Sequence, residues 1–381
     1  MGLQGGTVTL TRFYLPDPPV ADFWSFVDES LRNGAYRDAT ESGESPKGFA
    51  HWEDLFDASF PYAGYRKAEY VAFQFRVDQR KVPALVFKQY ERDAVQAYRA
   101  EHDGKYPPRH ERLKMREAIQ NHLLERVLPQ PSGCEVVWAP ARHRLLVGTA
   151  SLKMLEAFLE HFEGIFKLHP VPLYHAQWAI HDLSLPERLK DVLSGLISLK
   201  SPHAMHEGRF LGYEFLTWLW FVTETQGGRV PVADGASASV ALGERVVLSR
   251  QDDGKERVIC TTQAGALDEA RTALRQGKMV EEAQWVLTVG DNEYVIVLDR
   301  DLWTIKGLKT PKQLPPSEED DPDGRFLEKM FFIDEVLTVL DAAYREFLLL
   351  RLTPSWASDV LPGLTHWIRT GPPESAPPLN P

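Results

Sequence analysis

Alternating and helical hydrophobic patterns follow one another along the chain in a mixed order. Alternation of apolar and polar positions, with short apolar runs between turns, predicts strands at 7–15, 69–77, 82–87, 135–139, 143–149, 171–174, within 229–262, 284–289 and 294–298. Apolar residues on one helical face predict helices at 20–32, 88–101, 109–128, 151–167, 186–196, 213–225, 264–276 and 325–352. Because the order lacks strict βαβ alternation, we expect an α+β fold with mixed antiparallel sheets and flanking helices.

The same patterns divide the chain into six predicted segments. They are an N-terminal α+β region (1–80), a charged helical hairpin (81–130), a central α+β region (131–310), an acidic proline-rich loop (311–324), a C-terminal helical region (325–370) and a disordered tail (371–381). The hairpin is predicted from two charged helices that are separated by a Gly- and Pro-containing turn.

Composition narrows the class of protein. The chain has 381 residues with 43 basic and 54 acidic side chains, a net charge of −11, and 43% hydrophobic residues, enough for a folded core. Two cysteines cannot form a disulfide framework or a four-thiolate zinc site. The N-terminus lacks a signal-peptide pattern, and the longest apolar stretch, 210–222, is too short to span a bilayer. We therefore expect a soluble cytoplasmic protein with no membrane partner.

Common catalytic motifs are absent from the sequence. There is no glycine-rich nucleotide loop, no H-E-x-x-H and no G-x-S-x-G. The triplets Asp103–Lys105 and Asp253–Lys255 are interpreted as turns, and His203, His206 and Glu207 as loop residues without a second ligand pair. The sequence thus predicts no enzyme activity, no catalytic or metal-binding residues and no cofactor.

The segment 214–224 contains four aromatic residues at helical spacing. This pattern is typical of a buried core or an interface, whereas stacking on nucleic-acid bases would need basic residues between the rings. No basic residue interleaves there, so we interpret the segment as core.

Basic residues are concentrated in the predicted hairpin. Residues 81–126 contain ten basic and seven acidic side chains, a local charge of +3 in an acidic chain. Arg109, Arg112 and Arg116 follow an i, i+3, i+7 spacing, which places them on one face of a helix. Such a stripe is suited to DNA phosphates. An ordinary solvated helix with local ion pairs remains the alternative at this stage.

The order of several motifs resembles the recombination-associated protein RdgC family. The matching segments are VPALVFKQ, LKMREAIQNHLLERVL, EVVWAPARHRLLVGTAS, EFLTWLWF, RVVLSRQD, GKMVEEAQWVLTV and YVIVLDRDLWTIKGLKTP. Together they extend over most of residues 7–350, and the residues after that lie outside the resemblance.

The resemblance implies a nucleoid-associated protein that binds double-stranded DNA without marked sequence preference and opposes RecA filament function. It further implies a horseshoe-shaped protomer that closes into a homodimeric ring, with DNA and RecA as partners. The hairpin would correspond to the family's finger-like projection. The implied DNA-binding residues are Lys88, Arg92, Arg99, Lys105, Arg109, Arg112, Lys114, Arg116, Arg126, Leu128, Arg250 and Gln251.

Two positions depart from the family pattern. Leu128 stands where the family has a phenylalanine, and Glu125 stands where it has a proline. Leucine stacks poorly on bases, and a carboxylate is unfavourable beside DNA, which puts DNA bending in doubt. A protein-interaction module that kept the fold but lost DNA binding is therefore the alternative function. A hydrolase or nuclease is a third, and it would require metal-dependent turnover of DNA.

Overall fold

A computed structural model describes residues 2–18, 20–38, 45–200, 208–232, 237–250, 256–261, 267–301, 303–311 and 321–372. The chain divides into two compact units. The larger unit comprises Met1–Phe23, Tyr65–Ala72 and Glu135–Pro381, and the smaller comprises Trp24–Gly64 and Phe73–Cys134.

The described residues form strands and helices in an interleaved order. The strands are β1 (Thr7–Tyr14), β2 (Lys47–Ala50), β3 (Arg66–Lys67), β4 (Tyr70–Gln79), β5 (Gln130–Ala139), β6 (Arg144–Val147), β7 (Val171–Pro172), β8 (Arg229–Pro231), β9 (Ser237–Ser249), β10 (Val258–Thr261), β11 (Met279–Val289), β12 (Asn292–Asp299) and β13 (Thr304–Lys309). The helices are α1 (Phe23–Asn33), α2 (Ala84–Glu101), α3 (Arg109–Arg126), α4 (Leu152–Phe166), α5 (His175–His181), α6 (Glu187–Lys200), α7 (Arg209–Gln226), α8 (Asp268–Arg275), α9 (Pro322–Arg351) and α10 (Leu361–Thr370).

The larger unit is built on an antiparallel sheet with strand order β10-β9-β11-β12-β13-β1-β6-β5. Its central strand β1 is buried along most of its length, and the hydroxyl of Thr11 lies 3.1 Å from that of Thr304 on β13. The α+β prediction is confirmed.

Helices α7 and α9 form the aromatic core of this unit. The Phe215 ring contacts the rings of Tyr344 and Phe347 at centroid distances of 5.0 and 5.5 Å, and Trp218 packs on Phe347 at 5.6 Å. Phe215 and Trp220 are fully buried. The core interpretation of 214–224 is therefore confirmed.

The residues that follow α9, including α10, cover one end of that core. Trp367 of α10 is buried against Trp220, and its indole Nε1 donates to Glu224 Oε2 at 2.8 Å. Arg271 of α8 also donates to Glu224, at 2.6 Å. A short π-helical turn, Trp356–Val360, packs its tryptophan on Phe347. The predicted tail lies outside the described residues from position 373 onward.

The smaller unit pairs β2 with β4 in antiparallel register, from Lys47↔Val77 to Ala50↔Gln74. Phe49 packs between the strands against Phe73 and Phe75, at 5.1 and 6.3 Å. The helical hairpin α2–α3 belongs to the same unit.

The predicted buried strand at 82–87 is wrong. Helix α2 begins at Ala84, and Leu85 within that run is 81% exposed. Pro83 precedes the first turn; it lacks the N–H that a strand ladder requires, and its fixed φ suits a helix start. The apolar run therefore lies on a solvated helix.

Other elements and boundaries also differ from the sequence expectations, among them the strands β2, β3 and β13, which were not predicted. The short helix α5 was not predicted, and α9 begins at Pro322 rather than 325, because the Asp321 carboxylate accepts from Gly324 N at 2.9 Å and caps the helix. Within the described ranges, none of the helices combines the length and apolar composition needed to cross a bilayer.

Candidate nucleic-acid interface

The hairpin α2–α3 is almost entirely solvated. No residue of α2 is buried, and Leu123 is the one buried residue of α3. The reversal between the helices uses Asp103 and Gly104 at φ of 51° and 80°, and Pro108 precedes α3. The triplet Asp103–Lys105 is thus a turn, as predicted. A hairpin with so little core leaves most of its side chains in solvent.

A carboxylate on α2 joins the two helices. Glu91 Oε1 accepts from Arg116 Nη1 at 2.7 Å and from Arg112 Nη2 at 3.2 Å. Partial burial of Glu91 acts to raise its pKa, but the two guanidinium groups outweigh it and hold that pKa below its usual value. Two arginines of the predicted stripe therefore stabilise the hairpin and are partly neutralised.

Other basic side chains of the hairpin remain available. Arg99 lies over the Tyr106 ring at 4.5 Å, and Lys114 lies 3.5 Å from Glu111. In the described part of the chain, exposed basic side chains without an ion pair or side-chain hydrogen bond include Lys88, Arg92, Lys105, Arg109 and Arg126. These five carry most of the uncompensated positive charge of the hairpin.

The last turn of α3 and the segment after it expose both departures from the family pattern. Leu128 is 83% exposed, and Glu125 and Arg126 are exposed beside it. Leu128 is therefore a large apolar side chain that lies mostly in solvent. Arg250 is exposed in the larger unit, and Gln251 lies outside the described residues.

The implied DNA-binding set does not include two basic residues at the base of the hairpin. Arg80 donates to the carbonyl of Leu124 at 3.4 Å, and Lys81 is exposed. Their position at or directly before the start of the basic segment 81–126 is the sequence feature that could have identified them.

The described part of the chain holds no cluster of potential metal ligands. No group of three or more histidine, cysteine or carboxylate side chains that could hold a metal ion occurs there. His203, His206, Glu207 and the triplet Asp253–Lys255 lie outside the described residues.

Part of the chain matches a known family. Residues 26–183 match the RdgC family model, whose description reads "Putative exonuclease, RdgC". The matched range contains the entire hairpin α2–α3. It confirms the resemblance drawn from the motif order within that range and, at the level of the family, supports a recombination-associated nucleoid protein. No curated protein matches the chain.

Proposed function

With RdgC family membership supported by residues 26–183, we propose that the chain binds double-stranded DNA without sequence preference and limits RecA filament function. The binding energy comes from phosphate contacts, because the hairpin offers dispersed basic side chains rather than a set suited to base recognition. Two copies close around the duplex, and DNA association places the protein in the nucleoid.

One observation carries this proposal. The exposed, uncompensated basic residues of the described chain concentrate on a hairpin that buries one side chain in its two helices. Its local charge of +3 stands in a chain of −11. A local positive surface attracts DNA, while the acidic remainder disfavours binding elsewhere.

The test is fluorescence anisotropy with a labelled mixed-sequence duplex over a series of salt concentrations. We expect affinity to fall steeply with salt, with a slope of about 0.9 per phosphate contact on logarithmic axes. Absence of binding at low salt would overturn the proposal and favour the protein-interaction module.

Two triple variants that remove the same charge test whether the hairpin is the DNA-binding surface. Replacing Lys88, Arg92 and Arg109 by alanine should weaken duplex binding at least tenfold and flatten the salt slope. The control replaces three exposed arginines of the larger unit, Arg188, Arg229 and Arg369, and removes the same charge. Equal loss in both variants would show that net charge, not the hairpin, determines binding.

RecA limitation and ring closure need their own measurements. Sedimentation should show a dimer, and the protein should lower RecA-dependent strand exchange in proportion to the DNA that it covers. A triple hairpin variant that still inhibits strand exchange fully would separate RecA antagonism from DNA binding.

The description of the matched family names an exonuclease, which makes exonuclease activity the second candidate function. End-labelled duplex incubated with Mg²⁺ or Mn²⁺ tests it directly. Progressive shortening that EDTA prevents, and that copurifies with the protein through several columns, would establish this activity.

A further inference from the structure

A cleft of about 540 Å³ opens in the larger unit beside α9. Leu327, Phe331, Asp334 and Glu335 contribute one wall, because their spacing repeats on a single face of the helix. Arg142 and the turn at Glu69 are among the residues opposite. The cleft thus has a mixed apolar and charged lining, as ligand sites commonly do.

The apolar part of the cleft is open to water. Phe331 is 56% exposed and Leu327 is 38% exposed, although the same helix buries Phe332 and Ile333 in the core. Exposed aromatic and aliphatic side chains that adjoin each other on one helix favour burial against a partner.

The charged part of the cleft is negative. Asp334 is balanced by Arg142 at 2.7 Å and accepts from the Tyr70 hydroxyl at 3.1 Å. Glu335 accepts through Oε2 from Asn292 and Tyr294, neither of which is a cation. Within the described part of the chain, neither Glu335 nor the exposed Glu69 has an ion pair. The lining therefore retains two uncompensated carboxylates.

We propose that this cleft binds a peptide segment of a partner protein in which an arginine or lysine adjoins a bulky apolar residue. The cation would offset the charge of Glu69 and Glu335, and the apolar side chain would cover Phe331 and Leu327. A polyamine would supply the positive charge but has no apolar side chain to cover Phe331 and Leu327. DNA is repelled by the carboxylates, so this site is separate from the hairpin interface.

The binding test uses fluorescein-labelled peptides of eight residues in a Gly-Ser background. One peptide carries an Arg-Leu pair, the second Arg-Ser, the third Glu-Leu, and spermidine serves as an unlabelled competitor. We expect the Arg-Leu peptide to bind in the micromolar to submillimolar range and the other two peptides at least tenfold more weakly. Equal binding of all three peptides, no measurable binding of any, or full displacement by low spermidine concentrations would overturn the proposal.

Surface variants locate the site without disturbing the core. Phe331→Ser should weaken the Arg-Leu peptide about tenfold or more, and Glu69→Gln up to about fivefold. Leu152→Ser and Glu156→Gln on α4 are the matched controls, since both side chains are exposed outside the cleft. Unchanged affinity in both cleft variants would place the peptide elsewhere. Duplex binding by the cleft variants is measured in parallel and should stay unchanged, which keeps the two proposals distinguishable.

Discussion

Helices α3 and α7 are equal in length and opposite in environment. Each has 18 residues, but α3 has one buried residue and α7 has eleven. Helix α7 is held by aromatic contacts with α9, whereas α3 is held to α2 by ion pairs with Glu91. The two helices therefore tolerate different changes: side-chain volume is constrained in α7, whereas α3 tolerates changes of volume at its exposed positions and depends on the charges of Arg112 and Arg116.

The largest expected effect breaks the aromatic contact between α7 and α9. Phe347 is fully buried against Phe215, Trp218 and Trp356. Phe347→Ala should lower the free energy of unfolding by about 3–5 kcal/mol, because the lost contacts leave a cavity. Denaturant unfolding measures this. The hairpin control, Leu113→Ala at a half-exposed position, should stay within about 0.5 kcal/mol. Similar losses in both would contradict the comparison.

The next effect concerns a buried ionic network of the larger unit. Asp341 accepts from Trp178 at 2.8 Å and from Arg144 at 2.9 Å, and lies 3.6 Å from Arg12. Burial lowers the pKa of Arg12 to about 10. Burial also acts to lower the pKa of Arg144, but Asp341 and Asp182 outweigh it, and that pKa is raised.

Asp341→Asn should therefore cost about 3 kcal/mol of unfolding free energy, because two buried guanidinium groups lose a shared anion. The exposed carboxylate Asp93 of the hairpin provides the control, and Asp93→Asn should be nearly neutral. A cost for Asp341→Asn no larger than that of the control would show that Asp182 suffices for both arginines.

A pH-dependent effect follows from His175. This side chain is buried, and burial lowers its pKa to about 4. It accepts from the Tyr344 hydroxyl at Nδ1 and donates from Nε2 to the Arg300 carbonyl, both at 2.9 Å, which is the pattern of a neutral ring.

Between pH 6.5 and 4 the unfolded state takes up a proton that folded His175 refuses, so stability falls as the pH falls. The free energy of unfolding is lower by about 3 kcal/mol at pH 4 than at pH 7 because of this one group. The difference in unfolding free energy between the native protein and His175→Gln, measured from pH 7 to 4, isolates this contribution. Parallel pH profiles would show that other groups cause the acid sensitivity.

The core was more predictable from the sequence than the hairpin was. The aromatic residues of 214–224 predict burial because no charged residue lies between the rings. The run at 82–87 was misassigned because apolar content alone does not distinguish a buried strand from a solvated helix, and Pro83 decides between them. Helix α5 escaped prediction because its seven residues are too few to show a period.

The stripe of Arg109, Arg112 and Arg116 shows that prediction from the sequence alone is limited in the same way at the proposed DNA-binding hairpin. The i, i+3, i+7 spacing correctly predicted that Arg112 and Arg116 share a face, since both reach Glu91. Whether that face points to solvent or to the neighbouring helix depends on Glu91 of α2, which lies more than 20 positions earlier in the chain. The spacing did not reveal that two of the three arginines link α2 to α3, and their contact with phosphates stays a prediction.

The smallest expected effect on stability gives the sharpest test of what the hairpin does. Glu91→Gln removes the anion shared by Arg112 and Arg116, and because the arginines are about half exposed, the stability cost should stay under about 1 kcal/mol. If the hairpin contacts phosphates, releasing both arginines should tighten duplex binding several-fold and steepen the salt slope. The control Glu101→Gln removes an equal charge from the exposed end of α2 and releases no arginine. A gain in Glu91→Gln beyond that of Glu101→Gln would assign Arg112 and Arg116 to the DNA surface. Equal or absent gains would restrict them to holding the helices together and leave DNA contact to Lys88, Arg92 and Arg109.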